Sequence, residues 1–113
     1  MSAVVEINNG DDFIINLIIK DDSQVVLPYD QINWEAIYYT SLDYPLVAKS
    51  VDGVLSSNCE IDGDTIKIFT NNHNWGTKGT IYRTIKVAFI DGRFIDGKAD
   101  VSKTGILTSH KII

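Results

Sequence analysis

The chain has 113 residues, 44% of them hydrophobic, which is enough for one domain with its own core and too short for two. Its single cysteine, Cys59, excludes an intramolecular disulfide framework, and fifteen acidic against ten scattered basic residues (formal charge −5) argue against nucleic-acid binding, which needs clustered Lys and Arg. The longest apolar run, residues 13–19, is interrupted by Asn16 and too short to cross a bilayer, and residues 1–6 lack the pattern of a signal peptide; a soluble protein made in a reducing compartment is expected.

Along the chain the dominant period is two, and the punctuation is Asx-Gly: Asn9-Gly10, Asp52-Gly53, Asp62-Gly63, Asp91-Gly92 and Asp96-Gly97. Such dipeptides favour tight hairpin turns, because Gly accepts positive φ and the Asx side chain bonds its own backbone. Residues 13–19 form the first predicted strand, with Phe13, Ile15, Leu17 and Ile19 on one face. A turn at Asp21-Asp22-Ser23 leads to Val25-Val26-Leu27, which Pro28 ends. Residues 32–40 place Trp34, Ala36 and Tyr38 on one face and Glu35, Ile37 and Tyr39 on the other. Residues 46–51 form a short strand before Asp52-Gly53, and residues 59–61 and 65–69 flank Asp62-Gly63-Asp64 as a hairpin. The longest strand is 80–90, in which Arg83 alone spoils the apolar side and is expected near an end of the structure. After Asp91-Gly92 come Arg93-Phe94-Ile95 and one or two strands within residues 99–107.

No segment carries a helical stripe. Seven to nine short strands with turns about ten residues apart predict an all-β, two-sheet antiparallel sandwich of immunoglobulin-like build, with a closed barrel as the alternative. The expected core is Phe13, Ile15, Leu17, Trp34, Ala36, Ile66, Ile68, Ile85, Val87 and Phe89. A single domain spans residues 1–113, with apolar ends at 1–8 and 106–113 that read either as ordinary edge strands or as arms contacting a partner.

Catalytic chemistry finds little to use. The two histidines, His73 and His110, stand in a polar loop and near the end of the sequence, and Cys59 at a strand start reads as a small buried hydrophobe. Asp62-Gly63-Asp64 and Asp21-Asp22 place carboxylates at turns, but turns attract Asp for backbone reasons and calcium-loop spacing is absent. No catalytic residue, cofactor or metal site is therefore assigned, and neither nucleic acid nor membrane is expected as a partner. The segment 70–79 is a long polar connection with Trp75 at its centre. Trp75 could stack on a sugar ring or anchor a protein contact, or fold down as a plug over the open end of the sandwich. The candidate partner-binding residues are Trp75 and His73 of this loop, Tyr39 and Tyr44 as surface aromatics, and Ile112 and Ile113 at the apolar end.

Asp12-Phe13-Ile14-Ile15-Asn16-Leu17 followed by Trp34-Glu35-Ala36-Ile37-Tyr38-Tyr39-Thr40 resembles the amino-terminal module of upper-baseplate proteins of tailed bacteriophages. Asp52-Gly53, Asn58-Cys59, and residues 80–91 followed by Gly92-Arg93-Phe94-Ile95-Asp96-Gly97 extend the likeness over most of the chain. It is most similar to the versions carried by phages and prophages of gut Bacteroidales. The resemblance implies an immunoglobulin-like sandwich that attaches one virion component to another without catalysis. In the family a larger receptor-binding region follows, whereas this sequence stops soon after the last predicted strand, so a stand-alone role is expected. The partners so implied are capsid, fibre, tail or baseplate subunits of the virion, with a homo-oligomer or symmetric array compatible. A carbohydrate-binding module built on the Trp75 loop is the alternative.

Overall fold

The structure is a computed structural model that describes residues 5–21, 23–90, 93 and 98–113. Its strands are β1 (Val5–Ile7), β2 (Ile14–Leu17), β3 (Asn33–Tyr39), β4 (Leu46–Val51), β5 (Val54–Leu55), β6 (Cys59–Asp62), β7 (Thr65–Phe69), β8 (Gly79–Ile90) and β9 (Lys98–Ile112). They form a six-stranded sheet in the order β1-β9-β8-β3-β4-β5 and a three-stranded sheet in the order β2-β7-β6. This is the strand arrangement of a variable-type immunoglobulin sandwich, in which two extra strands extend the larger sheet. The sheets remain separate, so the barrel alternative does not apply. Every strand pair is antiparallel except β1 with β9, which run parallel in the register Val5 to His110 and Ile7 to Ile112.

Period-two alternation turns directly into layering. On β3 the buried residues are Trp34, Ala36 and Tyr38, on β4 Leu46, Ala48 and Ser50, and on β7 Ile66 and Ile68. Trp34 occupies the strand on which immunoglobulin domains bury a tryptophan, and aliphatic side chains, among them Leu17 and Ile85, surround the core in place of a disulfide. Eight of the ten expected core residues are buried, while Phe13 and Phe89 pack against the cluster half-buried. Two hairpins take the turns their residues dictate. Asp52 and Gly53 both have positive φ, as a type I′ turn needs, and Gly63 leads Gly63-Asp64 with φ 59°, as in type II′.

One feature departs from expectation. Residues 25–27 form no full strand: they fold back on residues 19–21 through the Lys20–Val26 bridge and two backbone bonds, Asp21 N–H to the Val25 carbonyl and Leu27 N–H to the Ile19 carbonyl, around a turn in which Asp21 Oδ1 accepts from the N–H groups of Ser23 and Val25. Arg83 lies within β8 opposite Tyr38, the penultimate residue of β3, toward the end of the sandwich as the alternation led one to expect. Of the two readings of the apolar ends, the described residues follow the edge strand: residues 5–7 and 110–112 pair with each other, with Ile7 and Ile112 buried. The turns expected at Asp91-Gly92 and Asp96-Gly97, like Phe94, Ile95 and residues 1–4, lie outside the described residues.

Candidate functional site

The loop between β7 and β8 closes one end of the sandwich together with residues 8–13 and the β3–β4 loop. Asn71 and Asn72 take left-handed backbone angles (φ 48° and 56°), a conformation Asn tolerates better than most residues. The turned loop is then tied down residue by residue. Asn72 Nδ2 donates to the Gly10 carbonyl at 3.0 Å, and the Trp75 N–H donates to Asn9 Oδ1 at 2.8 Å. The Thr40 hydroxyl reaches the carbonyls of Trp75 and Thr77 at 3.1 and 2.8 Å. Trp75 is thereby driven fully inside, at 0% exposure, stacked on Phe13 (6.3 Å) and met edge-on by the His73 ring (4.7 Å). Gly76 follows with φ 81°, and a Cβ there would collide with the Tyr44 ring. Trp75 is the plug, and its expectation as an exposed contact residue is corrected. The signal was present in the sequence: Asn and Thr around a lone aromatic are also the residues that fasten a loop.

His73 is half-buried, with Nε2 2.9 Å from the Tyr44 carbonyl, which it satisfies as a donor. Ile112, at 1% exposure, belongs to the core and is withdrawn as a contact residue, whereas Ile113 is 44% exposed. Tyr44 is exposed and Tyr39 half-exposed, as expected. The structure adds Tyr82, whose ring stacks on Tyr39 at 6.1 Å across the β3–β8 ladder. Ile37 and Val47 face the same way, and the neighbouring β3–β4 loop exposes Leu42 and Tyr44. Half-buried Ile37, Tyr39 and Val47 and exposed Tyr82 thus share the outer face of the six-stranded sheet, while Tyr44 lies at the end of the sandwich against Gly76. Sequence alternation placed Tyr39 outward but could not pair it with Tyr82, 43 residues on, without the register.

Other candidate chemistry is accounted for locally. Cys59 is half-buried beside Ser56. Asp62 pairs with Lys67 at 3.1 Å, and Asp21 caps its own turn; Asp22 lies outside the described residues. Among the described residues no group of three or more His, Cys, Asp or Glu side chains converges as a metal would require. Among the described residues no helix is long and apolar enough to cross a membrane.

A second place gathers buried polar groups. Arg83 and Tyr38 lie side by side on the inner face of the larger sheet, close enough for the guanidinium to interact with the hydroxyl, although neither Arg83 Nε nor the Tyr38 hydroxyl makes a well-formed hydrogen bond, as is also true of the Trp34 and Trp75 indole nitrogens. Burial raises the Tyr38 pKa above its ordinary value, a rise that the nearby guanidinium opposes. Thr108 and His110 line the same cleft, and burial lowers the His110 pKa. Comparison with protein-family models, curated proteins and solved structures finds no match to this chain.

Proposed function

We propose that this protein is a non-catalytic attachment module, and that its place is the virion of a bacteriophage, decorating the capsid or joining a fibre, tail or baseplate component. The observation that carries the binding role is the patch of half-buried Ile37, Tyr39 and Val47 with exposed Tyr82 on the outer face of the larger sheet, with Leu42 and Tyr44 exposed on the loop that follows β3. Partly exposed apolar surface grouped on a stiff sheet favours a protein contact, and tyrosine supplies contact area at little conformational cost. The virion is supported by the resemblance of the ordered strand and turn motifs to baseplate modules. The carbohydrate-binding alternative loses the residue that motivated it, because Trp75 is inside.

The test is quantitative mass spectrometry of purified particles of the phage whose genome encodes the chain. On the order of hundreds of copies would make it a capsid decoration, and roughly three to twenty-four an adaptor in a closed ring at the tail. Replacing Tyr39 and Tyr82 together by Ser should leave the fold intact and deplete the protein from particles. Absence of the wild-type protein from particles overturns the virion reading.

A further inference from the structure

The two sheets are unequal, and β2 is an edge of the smaller one. Thr70 N–H donates to the Phe13 carbonyl at 3.2 Å, so ladder alternation turns the backbone groups of Ile15 and Leu17 toward β7 and those of Ile14 and Asn16 outward. Among the described residues no strand pairs with this outward edge. Beside it two clefts open against the inner face of β8. A groove of about 480 Å³ runs past Ile18, Leu27, Ile85, Phe89 and Val101, with Lys20, Asp21 and Gln24 on its rim, and a smaller cleft of about 230 Å³ lies against Asn16, Tyr38 and His110. Arg83 lines both.

Arg83 stands where alternation along β8 calls for an apolar side chain. Among the described residues it has no carboxylate within ion-pair distance, and its Nε has no hydrogen-bond partner. Tyr38, 1% exposed, lines the smaller cleft beside it. A charged side chain kept at such a position is a burden that proteins retain mainly where function needs it.

We propose that this cleft is a strand-acceptor site for an acidic segment of a partner protein. The segment lies extended along β2, exchanges main-chain hydrogen bonds with Ile14 and Asn16, and seats apolar side chains in the larger groove. One Asp or Glu carboxylate then meets Arg83 and the Tyr38 hydroxyl. Strand addition supplies the affinity of such a contact and the side-chain pockets its selectivity. The guanidinium fork is the donor best matched to a carboxylate, which is what commits the occupant to an acid. The chain's own Met1-Ser2-Ala3-Val4 has no side-chain carboxylate to offer. The site rests on the reading of the protein as an attachment module but not on its placement in a virion.

The test is selection of a displayed library of random peptides, about nine residues long to span one strand with flanks, on the intact protein. The selected peptides should share one Asp or Glu with apolar residues at alternating positions. A selected peptide should slow hydrogen exchange at the Ile14 and Asn16 amides and bind Arg83→Met at least roughly tenfold more weakly by calorimetry. If Arg83→Met does not fold, Asn16→Pro, which removes an outward N–H from the edge, must abolish peptide binding instead. The site is refuted by failure to enrich any peptide, by enrichment without an acid, by unchanged affinity in the variant that folds, or by protection elsewhere than β2. Absence of the protein from particles would remove only the virion placement.

Discussion

Asn9, Thr40 and Asn72 decide the fate of Trp75. Each satisfies, or is satisfied by, backbone that would otherwise be stranded when the loop folds over the end of the sandwich, and the indole is carried inside with it. Trp75→Ala should therefore behave as a core truncation, lowering stability in urea denaturation by about 3–5 kcal/mol. His110 makes a second residue-scale prediction. It stacks on Phe13 at 5.5 Å, and burial holds its pKa below the ordinary value of 6.5. Because the unfolded chain takes up this proton first, the stability tied to neutral His110 is complete above about pH 6.5 and lost as pH falls through the lower folded value. The urea midpoint should fall between about pH 7 and pH 5, with a shallower fall in His110→Gln.

The strands show what a sequence pattern carries and what it does not. β3, β4 and the β6–β7 hairpin were legible because alternation and Asx-Gly turns are local signals, and each lies within a few residues of its expected bounds. The pairing of β1 with β9 was not legible. No turn joins them, and a parallel register between Val5 and His110 is fixed only when the sheet assembles. Arg83 shows the same limit from another side: alternation revealed the misfit, but only the register of β8 against β3 places it opposite Tyr38. Of the outward patch, Tyr39 could be read from its own strand, whereas Tyr82 needed the ladder. The parallel pair can be tested through two neighbouring positions. Ile112→Asp puts a charge into the core and should cost about 3–5 kcal/mol in chemical denaturation, while Ile113→Asp, one residue on and facing solvent, should cost less than about 0.5 kcal/mol.

At the scale of the molecule, the six-to-three division of strands separates two kinds of surface. The large sheet offers a flat outer face with the tyrosine pair, and its overhang beyond β2 creates a flank with an open backbone edge. The proposed attachment role could then use both surfaces without either contact blocking the other, one side chain to side chain and one through main-chain pairing. The parallel β1–β9 pair also fixes how the domain bears load. Tension applied through Val5 and Ile113 pulls the two strands along their lengths in opposite directions, so the hydrogen bonds joining them resist together in shear and do not open one at a time like a zipper. A small protein strung between moving parts of a larger machine would then yield last when pulled from its ends, and sooner when peeled from its side.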